Sequence, residues 1–275
     1  MALFVPAPRA GPREANFSGR PATTFGTTLT ASATPHALPA SPTEVVASTA
    51  ADAELVEVTL HGMSTVGAET DGLVNVYVGA GGSEVVLLPN LLAGWTLIFT
   101  GAGTQRSYRF PVRIPRGTRL SADLRAEIAS DTVQIMVTLY HLGGMHWSGA
   151  GVEVLGANTA ASRGTDVTPG TTSEGTLTSI GTSGRAYRYV LPAVMGNADE
   201  TLTASVLSCD IGTASAPIAG LEEFMCFAST AEWQGSVDNG QGRFVDIASG
   251  TALYARLQSS AADAEAKSVC IYGVY

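Results

Sequence analysis

Apolar and polar residues alternate along most of this chain. In "AELVEVTLHG", Leu55, Glu57 and Thr59 stand opposite Val56, Val58 and Leu60, the period-two signature of a half-buried strand. "VNVYVG", "RSYRFPVRI", "TRLSADLRAEI" and "TVQIMVTLYHL" read the same way, separated by Gly, Pro, Asn and Asp. Only "PNLLAG" and "GLEEFMCFASTAEW" have room for more than a turn of helix. Turn signals at roughly 8–12-residue spacing predict an all-β chain built as antiparallel β-sandwiches, jelly rolls included.

The same order of signals runs twice. "IPRGTRLSADL" lies over "IASGTALYARL" at an offset of 133, with Ile114/Ile247, Gly117/Gly250, Thr118/Thr251, Leu120/Leu253, Ala122/Ala255 and Leu124/Leu257 identical. At that offset Gly79 meets Gly212, and at 132 Leu139-Tyr140 meet Ile271-Tyr272. An internal duplication is expected. It divides the chain into an extended arm (residues 1–24), a first sandwich (25–142), a connector (143–165) and a second sandwich (166–275). The arm carries Pro6, Pro8, Pro12 and Pro21 with Arg9, Arg13 and Arg20. Closely spaced prolines favour solvated extended chain, so the three arginines are candidates for anchoring it to another subunit.

"VYVGAGGSEVVLLPNLLAG" has the look of a phosphate cradle, but Glu84 takes the third glycine position and a β-branched run follows where a helix should open. In the second copy Gly212 stands with Thr213, Ala214 and Ser215. A turn survives that change and a cradle does not. Gly79, Gly212, Gly117 and Gly250 therefore read as turn glycines, placed where φ is positive or another backbone approaches closely.

Net charge is −9, which argues against nucleic acid as a partner of the whole chain. The exception is local: Arg106, Arg109, Arg113, Arg116, Arg119 and Arg125 fall within twenty residues. They read as a polar rim, or as a subunit boundary facing carboxylates. Lys267 is the single lysine, so sheet edges lack the residue most used to guard them, and a homo-oligomer is expected. No apolar run is long enough for a membrane span or a secretory leader.

Chemistry is sparse. Cys209, Cys226 and Cys270 have no paired spacing and read as buried thiols, and His36, His61, His141 and His146 form no ligand pattern. Glu222-Glu223 and Asp123/Glu127 are carboxylate pairs without specificity, and "SVDNGQGR" around Asp238 lacks the acids of a calcium loop. No cofactor, metal site or catalytic set is indicated. Tyr77, Trp95, Trp147 and Trp233 are candidates for sugar stacking or for packing.

Three stretches, "VGAGGSEVVLLPNLLAG", "YRFPVRIPRGTRL" and "GANTAASRGTDVTPG", resemble those of duplicated β-sandwich virion proteins of tailed bacteriophages and related gene-transfer particles. The resemblance spans most of residues 25–275 and is stronger in the first copy. It implies a non-enzymatic structural protein on the particle exterior, assembled in the bacterial cytoplasm and attached to capsid or tail protein. The alternative is an adhesin of the same particle that binds host-surface polysaccharide.

Overall fold

The computed structural model describes residues 13–15, 26–61, 70–95, 106–141, 147–157, 163–171, 173–195, 205–228, 233–234, 242–262 and 265–275. All regular structure among them is β-strand. The first sandwich contains β1 (Arg13–Ala15), β2 (Thr27–Thr30), β3 (Thr43–Val46), β4 (Leu55–His61), β5 (Thr70–Val78), β6 (Val85–Trp95), β7 (Arg106–Phe110), β8 (Leu120–Ala126) and β9 (Thr132–Tyr140). One sheet runs β2-β9-β4-β7, with β1 beside β2 on the same edge of β9; the other runs β3-β8-β5-β6. All these pairings are antiparallel.

The second sandwich contains β10 (Val152–Leu155), β11 (Thr165–Val167), β12 (Gly170–Thr171), β13 (Thr178–Thr182), β14 (Tyr187–Met195), β15 (Ser205–Gly212) and β16 (Phe224–Ala228). Then come β17 (Trp233–Gln234), β18 (Arg243–Ile247), β19 (Ala252–Ser259) and β20 (Lys267–Val274). Its sheets run β11-β20-β14-β18, with β10 beside β11, and β13-β19-β15-β16, with β12 and β17 added. Strand for strand this is the order of the first sandwich, and the crossing of strands between two four-stranded sheets is that of a jelly roll.

Period two explains the strands. β9 alternates half-buried and buried along its whole length, sending Val133, Ile135, Val137 and Leu139 into the core. The two stretches with room for helix are strands instead. β6 absorbs Pro89 among the register shifts opposite Val74, Val76 and Tyr77, and β16 pairs with β15.

The two jelly rolls share their details. Gly117 (φ 79°) and Gly250 (φ 82°) sit in the same turn, each with open space where a Cβ would be. Gly117 N–H donates to Thr49 O at 2.9 Å and Gly250 N–H to Ser183 O at 2.7 Å. Thr49 Oγ1 donates to Pro115 O at 2.7 Å and Ser183 Oγ to Ala248 O at 2.9 Å, and each hydroxyl accepts from the next N–H, Thr118 or Thr251, at 3.0 Å. A bulge at Val45 in β3 recurs at Ile180 in β13.

Register corrects two of the matched pairs. Asn75 stands opposite Asp123, and Asp210 stands opposite Arg256. Since β8 and β19 correspond through the shared turn, Asp210 takes the place of Asn75 and Gly212 that of Tyr77, not of Gly79. Gly79 has φ 117°, whereas Gly212 is outside the left-handed region and is required because Ala216 O lies 2.5 Å from where its Cβ would be. The isolated bridge Ala53–Ile114 likewise corresponds to the pair Tyr187–Ile247, which places Val274, not Tyr272, at the position of Tyr140.

The expected arm and connector are partly sheet. Arg13–Ala15 pairs with Thr138–Tyr140 of its own chain, and β10, inside the expected connector, pairs with β20. Each therefore fills an edge that its own sandwich would otherwise leave open.

Candidate functional site

The two jelly rolls meet sheet to edge. On β14 and β20, Val190, Val194, Val269 and Ile271 point into the second core. Their neighbours Tyr189, Leu191, Ala193, Met195, Cys270, Tyr272 and Val274 point the other way and join the core of the first jelly roll. They cover its open end, between β6 of one sheet and β7 of the other. Burying each large apolar side chain there is worth about 1.5–3 kcal/mol, so the two units form one block.

Tyrosine hydroxyls satisfy the strand edges at this junction. Tyr272 Oη donates to Asn90 O at 2.9 Å and accepts from Leu92 N–H at 3.0 Å, doing for β6 what another strand would do. Tyr108 Oη donates to Leu92 O at 2.7 Å, and Tyr189 Oη to Arg109 O at 2.9 Å. The rings of Tyr108 and Phe110 meet Tyr272 edge-on at 5.7 and 5.8 Å. Burial pushes the Tyr272 phenol well above its ordinary range and the Cys270 thiol up to about 12, so both stay protonated.

The predicted arginine cluster is dispersed, and its carboxylate partners lie in the same chain. Arg106 is buried beside the junction. Arg109 pairs with Glu57 at 3.2 Å, and Arg119 bridges Glu44 at 2.9 Å and Glu84 at 3.1 Å. Arg113 and Arg116 remain on the surface near Asp52, with Arg113 Nη2 3.4 Å from Asp52 Oδ2. The Arg116 backbone N–H donating to Asp52 leads the causes that hold its carboxyl below the usual range. Of the six, Arg113 and Arg116 are the exposed ones. Arg9 and Arg20 lie outside the described residues, as does the Arg13 side chain.

The outer face of β5 and β8 carries a polar cluster that sequence reading missed. Tyr77 Oη donates to Asp123 Oδ2 at 2.5 Å, Asn75 Nδ2 donates to Asp123 Oδ1 at 3.0 Å, and Asn90 N–H donates to Asn75 Oδ1 at 2.9 Å. Desolvation raises the Asp123 carboxyl, the leading cause. Asn90 then reaches Ala157 O at 2.8 Å, tying β6 to the segment between the jelly rolls. The signal lay in the three polar residues of β5 and β8, Asn75, Tyr77 and Asp123, standing where alternation predicts an outward face.

In the second jelly roll the matching rung opens into a cleft of about 390 Å³ lined by Glu174, Asp210, Glu222, Glu223 and Arg243. Arg256 pairs with two of these carboxylates, Glu174 at 2.5 Å and Asp210 at 2.9 Å. Among the described residues no group of His, Cys, Asp and Glu is arranged to hold a metal ion. Trp147 meets Phe244 edge-on at 6.2 Å and Tyr77 is in the polar cluster, so these aromatics pack rather than form one platform. The Trp95 and Trp233 side chains, His146 and Asp238 lie outside the described residues, as does the Cys226 side chain; Cys209 and Cys270 are buried thiols. No described helix is long and apolar enough to cross a membrane.

No family model and no curated protein matches the chain. Solved structures give distant likenesses. PNGF-II aligns at 8% identity and TM-score 0.33 over 90% of this chain and 65% of its own, so this chain spans under two-thirds of that protein. A protein in the structure of Sulfolobus turreted icosahedral virus aligns at 11% identity and TM-score 0.31, over 96% of this chain and 90% of its own. The tandem CBM22 domains of Paenibacillus barcinonensis Xyn10C align at 11% and 0.23, over 90% and 82%. At such scores they carry no argument about what this chain does.

Proposed function

We propose that this chain is a non-enzymatic structural protein displayed on the exterior of a tailed phage-like particle, as a capsid decoration or spike or as a tail component. The observation that supports this best is the junction: two jelly rolls are joined into one block by an apolar sheet face, a form suited to a building unit. Attachment is to capsid or tail protein, and the working form is a homo-oligomer with Arg113 and Arg116 at the boundary. Purified protein added to particles lacking it should saturate a fixed number of surface sites visible in particle images. Protein that neither binds such particles nor appears in images of complete ones would remove the reading.

A polysaccharide-binding adhesin of the same particle is the second reading, favoured by the cleft. Its carboxylates and the Arg243 guanidinium are the acceptors and donors that sugar hydroxyls need. Glycan-array binding lost on Arg243→Ala would favour it, and an array without signal would dismiss it.

A further inference from the structure

The face by which the second jelly roll docks has a counterpart in the first, and the edge that receives it has a counterpart in the second. Register makes the comparison residue by residue. The rung Leu191–Tyr272 of the docking face corresponds to Glu57–Thr138 on the outward face of β4 and β9. On the receiving side, the turn from Asn75 to Asn90 corresponds to that from Asp210 to Glu223: Glu223 N–H donates to Asp210 Oδ1 at 2.7 Å as Asn90 N–H does to Asn75. Glu223 O is thus the counterpart of the carbonyl that Tyr272 caps, and Arg243 stands where Phe110 does.

We propose that the chain carries both halves of a second copy of its own internal interface, fitted to another molecule of this same chain, and that Glu57 and Arg243 hold the two halves shut. Glu57 has both oxygens engaged, Oε1 by Arg109 at 3.2 Å and Oε2 by the Tyr140 hydroxyl at 2.6 Å. A second molecule docking there would have to strip water from that carboxylate and its arginine and bring Glu57 up to an edge that carries Glu222 and Glu223 of its own. At the other end the Arg243 guanidinium lies 4.2 Å over the Phe224 ring. It donates to the carbonyls of Gly220, Glu222 and Glu223, taking up the edge that an incoming tyrosine would need.

The reason for such closure is geometric. The internal contact joins unlike surfaces, so repeating it between molecules gives a ring only if the rotation happens to close, and otherwise an open fibre. Suppressing it keeps the chain from polymerising through its own internal contact. This inference stands apart from the particle reading, because it concerns the chain's contact with itself.

The test uses the full chain. Glu57→Leu with Thr138→Tyr installs the docking rung of the second jelly roll on the first, and Arg243→Phe restores the residue of the receiving end. Each variant alone should sediment as wild type. Mixed, they should form a one-to-one complex, and all three changes in one chain should give species that lengthen with concentration, at least tenfold tighter than any wild-type contact of this kind. Circular dichroism and a cooperative melt report folding. If the triple variant does not fold, the mixture decides, with Glu57→Ala and Arg243→Ala as a milder pair. Folded partners that do not associate on mixing overturn the proposal.

Discussion

Asn90 and Glu223 occupy the same left-handed corner of the two jelly rolls, at φ 48° and 56°, and each is held there by a side-chain oxygen from the preceding long strand. Neither is glycine, so both corners store strain that the hydrogen bond offsets. What their side chains do differs. Asn90 reaches Ala157 and also accepts from Arg125, while Glu223 is exposed at the lip of the cleft.

Glycine at these two corners should therefore have opposite effects. Glu223→Gly relieves the strain at little loss of contact and should raise stability by up to about 1 kcal/mol. Asn90→Gly gives up the Ala157 link and should lower it by about 1 kcal/mol or more. Urea denaturation of the two variants checks the signs.

Tyr272→Phe should weaken the junction. The ring still packs, but a buried donor on Leu92 and a part-buried acceptor on Asn90 lose their partner, the buried donor at about 1–3 kcal/mol and the acceptor at less. Hydrogen exchange at the Leu92 amide should quicken while amides of β19 keep their protection. Unchanged exchange at Leu92 would show that the hydroxyl is not what satisfies this edge.

The single lysine should give the protein a pH signature. Desolvation lowers the Lys267 ammonium to about 8 from its ordinary 10.5. The folded state therefore binds this proton less readily than the unfolded chain, and stability should rise as pH climbs from about 8 towards 10.5. Buried Tyr108 and Cys270, with values pushed up to about 12, work in the opposite sense once their unfolded counterparts ionise. The difference between wild type and Lys267→Met, measured from pH 7.5 to 9, isolates the lysine. A flat difference would contradict its burial as a charge.

Gly117→Ala and Gly250→Ala should cost the same, about 1 kcal/mol each, because both positions have positive φ and open space around the added methyl. Matching losses in thermal melts are the expected outcome. Unequal losses would mean that the two turns are not energetically alike.

Arg113→Ala combined with Arg116→Ala should leave the melting temperature of the isolated protein nearly unchanged, since this pair is solvent-exposed. Assembly on particles should weaken and lose part of its salt dependence. Normal assembly of the double variant would take these two residues away from the boundary.

Period two along "AELVEVTLHG" and "TVQIMVTLYHL" determined by itself that the chain is all-β and which residues of β4 and β9 face inward, because burial on one sheet face depends only on alternation. The segment around Gly117 and Gly250 was legible because a turn is local. Matching Gly79 with Gly212 and Tyr140 with Tyr272 failed by two residues each: a slip of two keeps every side chain on its face, so the sequence pattern cannot detect it. Only tertiary structure decided that register, through bridges such as Ala53–Ile114 between residues far apart in the chain. It alone also showed Arg109 and Arg119 meeting acids of their own chain, and Tyr272 reaching Asn90. Those contacts depend on how two finished sandwiches stack, and stacking is set by which outer face is apolar in three dimensions and which edge lies open to receive it.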